Sequence, residues 1–183
     1  YFNNIKIEDA GYGVYLKNSY YHSFNNIYFV RIAQQAFYIT HGSNNNFNNI
    51  TAIEVNGGFF FNNSNKNIIN TAYIFDPINY AVFVEYSNNN TFSNILGQSN
   101  KAGIVLSMSA DNNKISNNSI NLIISNVASP ASYNTFTNNI FFGAVTINGN
   151  YNLFTGNIFS AGLSILGTGN KADLTIANTS GIQ

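Results

Sequence analysis

The chain has 183 residues, a formal net charge of zero and only 8% charged residues, and it contains two histidines and no cysteine. Charges this sparse and balanced exclude the basic surface that nucleic-acid binding requires, so we expect no nucleic-acid partner. Although 45% of the residues are apolar, no apolar run is long enough to cross a bilayer, and we expect no membrane span.

An aromatic or aliphatic residue followed two positions later by asparagine recurs along the chain. The copies begin at Phe2, Phe24, Phe47, Ile68, Phe92, Ile115 and Phe136, and Phe154 opens a weaker eighth copy. The steps between them are 22, 23, 21, 24, 23, 21 and 18 residues. A repeat of this length predicts a solenoid.

Each period also contains a small residue followed by an apolar, variable, apolar triplet, from Gly13–Leu16 to Gly162–Ile165. Alternation with a period of two is typical of a β-strand. Runs this short must pair with the equivalent run one period away. We therefore expect an all-β protein, a parallel β-helix of about eight coils with 18 to 24 residues per coil.

The repeats extend over residues 1–183, which we expect to form a single β-helix domain. The chain begins at Tyr1 inside a repeat phrase, so we expect it to be part of a longer protein. Residues 167–183 are expected to supply a closing strand around Leu174–Ile176 and a C-terminal tail.

The recurring asparagines have a predicted structural role. Asparagine tolerates the left-handed conformation of a sharp corner, and its amide can donate to one coil and accept from the next. We predict a buried, hydrogen-bonded ladder at these corners. Its rungs would be Asn4, Asn26, Asn49, Asn70, Asn94, Asn117 and Asn138.

These phrases resemble the right-handed parallel β-helix repeats of the pectin-lyase-like superfamily, especially its NosD-like and carbohydrate-binding or sugar-hydrolase members. The clearest copies are Asn45–Ile50, Asn90–Ile95 and Asn134–Ile140. The resemblance implies a right-handed β-helix and a secreted or cell-surface location. Some such relatives cleave polysaccharide, whereas others bind it or build structure.

Ionisable residues recur at one phase of four successive coils: Asp9, Arg31, Glu54 and Asp76. Adjacent coils are about 4.8 Å apart, so neighbouring side chains could form ion pairs or share a cation. One interpretation is a catalytic or substrate cleft, with calcium as its cofactor. The other is a row of surface charges in which Arg31 bridges its neighbours and contributes little to stability.

The middle residues of the strand triplets form a second column, Tyr15, Tyr38, Phe60 and Phe83, which continues to Val105. Four outward-facing aromatics would be an unusual apolar stripe for a monomer. They could stabilise stacked coils, contact another protein surface or provide a platform for sugars.

Two smaller groups remain. His22 and His41 lie about one coil apart without an acidic or cysteine partner in phase, so we expect a turn role and no metal site. A single methionine and no cysteine offer few soft ligands, so we do not predict copper. Asn62, Asn89 and Asn178 are the predicted glycosylation sites.

These observations favour a secreted or cell-surface structural or adhesive module. We expect it to form a homo-oligomer, a filament or an array, or to pack against flanking domains of the same chain. The alternatives are a carbohydrate-active enzyme, either a polysaccharide lyase or a glycoside hydrolase, and a non-catalytic polysaccharide-binding spike.

Overall fold

The computed structural model describes residues 1–98, 103–124 and 130–176, and this part of the chain consists of β-strands joined by corners and short turns. Each strand pairs in parallel with the equivalent strand of the next coil, giving about seven turns of a parallel β-helix. The predicted fold class is therefore confirmed. The strands are β1 Phe2–Glu8, β2 Val14–Lys17, β3 Ser23–Thr40, β4 Asn46–Asn62, β5 Ile68–Ile69, β6 Ala72–Phe75, β7 Tyr80–Glu85, β8 Thr91–Ser93, β9 Ile95–Gln98, β10 Gly103–Ser107, β11 Lys114–Ser116, β12 Ser119–Ile124, β13 Thr135–Thr137, β14 Ile140–Phe141, β15 Val145–Ile147, β16 Leu153–Phe159, β17 Leu163–Ile165 and β18 Lys171–Ile176.

The recurring apolar residue of the repeat forms one inward column. Strand pairing aligns Phe2, Phe24, Phe47, Ile69, Phe92, Ile115, Phe136, Phe154 and Ala172. The fourth member is Ile69, which is fully buried, whereas the residue chosen from the sequence, Ile68, is 45% exposed. That prediction was wrong by one residue. The corrected alignment makes the repeat more even, with steps of 22 and 23 residues on either side of Ile69.

Aromatic rings fill much of the interior. Phe24 stacks on Phe47 with ring centroids 5.4 Å apart, and Phe136 stacks on Phe154 at 4.5 Å. Phe37 lies edge-on to Phe47 at 4.8 Å. Offset stacks and edge-to-face contacts are both favourable aromatic geometries. Successive coils therefore stabilise one another through ring contacts as well as through backbone hydrogen bonds.

Many of the corners where a coil changes direction contain a residue with a positive φ. Asn26, Asn49, Asn94, Asn117 and Asn138 occupy one such row, with φ between 53° and 56°. Asparagine tolerates this conformation better than most residues. A left-handed residue also interrupts the alternation of side chains along the strand. Two consecutive side chains consequently point outward before the next one points inward.

The burial predicted for this asparagine ladder is wrong for the same reason. All seven side chains are exposed, namely those of Asn4, Asn26, Asn49, Asn70, Asn94, Asn117 and Asn138. Some of these side chains form hydrogen bonds with one another at the surface. Asn26 Nδ2 donates to Asn4 Oδ1 at 2.9 Å, and Asn49 Nδ2 donates to Asn26 Oδ1 at 2.6 Å. Asn70 departs from the row altogether, because its amide donates to Asn48 at 3.2 Å.

Other asparagines form the buried ladders. The longer one lies two residues before the inward apolar column, on the same face of the strand. Its rungs are the buried Asn45, Asn67, Asn90, Asn113, Asn134 and Asn152, followed by the half-buried Asn170 in the last coil. Each Oδ1 accepts the backbone N–H of the preceding rung, so Asn67 N–H donates to Asn90 Oδ1 at 2.8 Å. Most of the side-chain amides also donate to a carbonyl of the preceding coil, as Asn90 Nδ2 does to Ser64 O at 3.0 Å.

A second buried ladder occurs later in the chain. Asn118, Asn139 and Asn157 are buried and linked in series, with the Asn118 and Asn139 N–H groups donating to the next Oδ1 at 2.9 Å. Ile95 N–H donates to Asn118 Oδ1 at 2.8 Å and so begins the series. These bonds satisfy polar groups that would otherwise be buried at a cost.

The last described coil ends with β18, which pairs in parallel with β16. The predicted closing strand at Leu174–Ile176 is the second half of β18, and residues 177–183 lie outside the described part of the chain. Within the described residues, no helix has the length and apolar character needed to cross a membrane.

Candidate functional site

The structure brings the four predicted ionisable residues into one row on the surface. Asp9, Arg31, Glu54 and Asp76 each occupy a left-handed corner, with φ between 47° and 54°. Strand pairing places the residues before these corners in register, as Val30 with Ile53 and Ile53 with Phe75. Because the corner residue follows an outward-facing residue, all four side chains point into solvent.

Two members of the row form a bidentate ion pair. Arg31 Nε donates to Asp9 Oδ1 at 2.6 Å, and Arg31 Nη2 donates to Asp9 Oδ2 at 3.0 Å. The hydrogen bonds from Arg31, together with its positive charge, hold the pKa of Asp9 below its ordinary value. The same carboxylate raises the pKa of Arg31. Asp9 is therefore held in its ionised form and engaged with Arg31.

The aromatic column is in the predicted register. Ring centroids are 5.2 Å apart between Tyr15 and Tyr38, 4.9 Å between Tyr38 and Phe60, and 5.3 Å between Phe60 and Phe83. The ring planes are within 16° of parallel at each step. Each inner ring is therefore covered on both faces by its neighbours. What the column presents to its surroundings is a strip of ring edges, which leaves little room for a sugar to stack on the inner rings.

Two further tyrosines extend this column sideways. Tyr12 lies edge-on to Tyr38 at 5.7 Å, and Tyr80 lies 5.2 Å from Phe83. Tyr80 hydroxyl accepts a 2.9 Å hydrogen bond from Gln35 Nε2. Burial raises the pKa of Tyr80 to about 12. We call the surface formed by Tyr12, Tyr15, Tyr38, Phe60, Tyr80 and Phe83 the aromatic face.

The sequence analysis missed Tyr12 and Tyr80, because each lies outside the strand triplets. A signal was present, since both precede a small residue at the start of a triplet, Gly13 and Ala81. Tyr80 can reach across the neighbouring coil because Gly57 has no side chain there, and a Cβ at Gly57 would meet the Tyr80 ring.

A groove lined by amide side chains lies on another side of the coils and was also missed. Its volume is about 400 Å³, and its lining residues are Tyr1, Ser23, Asn25, Asn46, Asn48, Ile68 and Asn70. Asn48 Nδ2 donates to Asn25 Oδ1 at 2.9 Å, so the amides form a continuous row. No lining residue is charged. We call this surface the amide groove.

The predicted glycosylation sites differ in their surroundings. Asn62 is half-buried, and its Nδ2 donates to the Glu85 carboxylate. Asn89 is exposed at a left-handed corner with a φ of 59°. Asn178 lies outside the described residues. Glycosylation at the three positions stays a prediction.

The two histidines occupy different rows. His22 is aligned with the buried asparagine ladder, where its backbone N–H donates to Asn45 Oδ1 at 3.0 Å, and its ring lies against Phe2 and Phe24. His41 occupies an exposed left-handed corner and shares a 2.8 Å hydrogen bond with Thr40 Oγ1. In this arrangement His22 takes the place of the first asparagine rung.

The stacked coils, the left-handed corners and the internal asparagine ladders define a parallel β-helix of the pectin-lyase-like class. The chain matches the family model described as "Periplasmic copper-binding protein (NosD)" over residues 2–180. It therefore belongs to the NosD family, as the resemblance of its repeats predicted. No individually curated protein sequence matches the chain.

The fold is also similar to crystal structures of DFA-IIIase from Arthrobacter chlorophenolicus A6. The form without its lid gives a TM-score of 0.66 at 10% identity, covering 87% of this chain and 52% of the other. The complex with GF2 gives 0.64 at 12% identity, covering 86% and 50%. The complex of a mutant form with DFA-III gives 0.65 at 12% identity, covering 86% and 48%. At these identities the likeness concerns the fold, and the chain spans about half the length of these structures.

The residues described here do not fit the copper that the family description implies. Over residues 1–98, 103–124 and 130–176, no three His, Cys, Asp or Glu side chains come together to hold a metal ion. His41 and Met108 share a corner row but are three coils apart, which is about 14 Å. Such a separation is far beyond a shared first coordination shell. Calcium on the charged row stays a prediction.

Proposed function

We propose that this chain is a structural or adhesive β-helix module of the periplasm or the cell exterior, which uses its aromatic face to pack against another protein surface. The observation that carries the proposal is the strip of stacked ring edges from Tyr15 to Phe83. Tyr15 is 53% exposed and Tyr12 is 45% exposed. The other members of the face are half-buried, namely Tyr38, Phe60, Tyr80 and Phe83. Large exposed apolar patches mark interaction surfaces, and tyrosine is enriched there because its ring is apolar and its hydroxyl can remain wet.

The family supports the location. The NosD family is described as periplasmic, and a stable β-helix without cysteine can fold in any redox environment. A coil that repeats about every 4.8 Å presents the same side-chain chemistry at regular intervals, which suits an extended contact surface.

The test is electron microscopy of the purified native material. Ordered filaments or arrays, or paired particles, are expected for the wild type, and Tyr38→Ser should abolish them. Tyr73→Ser is the matched control, because Tyr73 is an exposed strand tyrosine outside the aromatic face. Dispersed single particles of the wild type at concentrations up to about 1 mM would refute the proposal.

A second candidate function is non-catalytic binding of a neutral polysaccharide. The amide groove favours it, because amides donate and accept hydrogen bonds as sugar hydroxyls require, and its volume lies within the range of small-ligand sites. Isothermal titration calorimetry with neutral oligosaccharides is the test. Asn48→Ala should weaken binding, whereas Asn79→Ala, at an exposed asparagine outside the groove, should not.

The enzyme alternative has its own test. A glycosidase needs two carboxylates that face one substrate, and a carboxylate that acts as an acid must hold its proton. Asp9 is engaged with Arg31, which leaves Glu54 and Asp76 as the acid and base to examine. Polysaccharide cleavage that requires calcium and is lost in Asp76→Asn would support an enzyme. Equal turnover by the variant and the wild type would exclude a catalytic role for Asp76.

A further inference from the structure

We propose that the occupant of the aromatic face is a second copy of this chain, packed antiparallel about a two-fold axis that runs along the strands between the Tyr38 and Phe60 coils. This inference rests on the proposed structural function and specifies its partner. It follows from the arrangement of three neighbouring columns on the first four coils.

The central column limits the contact to these coils. Tyr15, Tyr38, Phe60 and Phe83 are in register, and the next coil continues the column with Val105. The coil after Val105 adds Ile123, and further on the column contains Thr146 and Ser164, which are polar, so the aromatic part of the column ends at Phe83. A two-fold axis at the centre of the four aromatic residues places Tyr15 against Phe83 of the second copy, and Tyr38 against Phe60.

The flanking column selects the direction of packing by its charges. Lys17, Thr40, Asn62 and Glu85 are in register beside the aromatic column. Lysine therefore lies at one end and glutamate at the other, with neutral residues between them. In the antiparallel arrangement each Lys17 faces Glu85 of the second copy, twice per dimer. In a face-to-face pairing with parallel coils the two-fold axis runs along the stack. The flanking column then faces the column on the other side of the aromatic residues, and Lys17 has no glutamate opposite it.

The third column repeats the same symmetry. It contains Gln35, Gly57 and Tyr80, which strand pairing places in register. Val14 pairs with Phe37, so Tyr12, two residues before Val14, is the equivalent of Gln35 on the first coil. Tyrosines thus occupy both outer coils. Tyr12 leans toward Tyr38, and Tyr80 leans toward Phe60 with ring centroids 6.4 Å apart. The proposed axis exchanges these two tyrosines, so all three columns are consistent with one symmetry operation.

The size of the face predicts a weak dimer. Four coils, and the five residues that separate the two outer columns along each strand, give a face of about 14 by 17 Å before side chains are counted. This is below the roughly 800 Å² per partner of a standard stable interface. Association should therefore depend on concentration over about 10 μM to 1 mM.

The experiment is sedimentation equilibrium of the intact protein with charge-reversal variants at the two ends of the flanking column. Lys17→Glu alone should weaken self-association at least about tenfold, because both pairs change from attraction to repulsion. Glu85→Lys alone should do the same. An equimolar mixture of the two single variants should restore association toward that of the wild type, since a dimer of one copy of each variant joins opposite charges at both ends. Lys66→Glu, an exposed lysine on a corner outside the face, is the matched control and should leave association unchanged.

Each outcome has a definite meaning. Circular dichroism checks that each variant is folded, and restoration in the mixture is itself proof that neither variant failed to fold. If Tyr38→Ser abolishes association but the charge variants and their mixture behave like the wild type, the proposed function stands and the two-fold geometry is overturned. If the wild type remains monomeric throughout the concentration range, both are overturned.

Discussion

The buried asparagine ladder should be the most sensitive polar element of this fold, and Asn90 tests it. Its side chain takes part in four hydrogen bonds, to Asn67 N–H, Asn67 Nδ2, Ser64 O and Asn113 Oδ1, at 2.8 to 3.2 Å. In Asn90→Ala the Asn67 amide still has Gly42 O, and Asn113 Oδ1 still has the Asn90 backbone N–H. The Asn67 N–H and the Ser64 carbonyl lose these bonds inside the protein.

Two buried backbone groups left without their partners, at about 1–3 kcal/mol each, predict a loss of about 2–6 kcal/mol in the free energy of unfolding. Asn70→Ala is the control, since its amide bonds at the surface, and it should cost no more than about 0.5 kcal/mol. Urea denaturation followed by circular dichroism measures both. Equal losses for the two variants would refute the claim that the inward row, rather than the surface row, stabilises the coils.

Two further predictions concern the first four coils. Gly58→Ala should destabilise the protein by about 1–3 kcal/mol, because a Cβ would clash with the backbone carbonyl oxygen of Ala81 in the next coil. Gly11→Ala is the control and should not destabilise it, since a Cβ there would meet open space. Thermal unfolding of both variants checks this prediction. Burial raises the pKa of Tyr80 from 10.0 to about 12, so the folded state favours the neutral hydroxyl. The stability that this pKa shift contributes should be fully present below about pH 10 and should be lost as the pH rises to about 12. The absorbance at 295 nm of the wild type minus Tyr80→Phe should titrate near pH 12, and a midpoint near 10 would contradict the burial of this hydroxyl.

The fold was predictable because two sequence patterns recur once per coil. They are the apolar residue followed by asparagine, and the small residue followed by an alternating triplet. The aromatic column from Tyr15 to Phe83 followed from the same register, since each step is one coil and alternation fixes which side chain points outward. The ion pair of Asp9 and Arg31 was among the alternatives for the charged row. In each of these cases the equivalent residue lies at the same distance from the next corner.

The asparagine assignment failed where alternation alone was insufficient. Asn45 and Asn49 both lie two residues from Phe47, so simple alternation places both inside. A left-handed corner at Asn49 turns the chain, and its side chain points outward while Ile50 points inward. Sequence identifies asparagine as a suitable corner residue, but it does not state which of two flanking asparagines is the corner. The same ambiguity led to Ile68 in place of Ile69.

The tyrosines of the aromatic face were missed for a different reason. The position of the Tyr80 ring depends on two residues in other coils. Gly57 on the preceding coil has no side chain and leaves room for the ring, and Gln35, two coils away, donates a hydrogen bond to the Tyr80 hydroxyl. Such contacts depend on residues about 23 and 45 positions distant. They become visible only after the register of the coils is known.

A change in the interior accompanies the change in the surface along the chain. One inward column contains Ile27, Ile50, Ala72 and Ile95 in the early coils and then continues as the asparagine ladder from Asn118. The amide groove, the charged row and the aromatic face all lie in the coils with the apolar column. In the later coils, buried amides bond successive turns at 18 to 21 residues. Shorter coils leave less chain for outward features, so the second half extends and stabilises the stack on which the first half displays its surfaces.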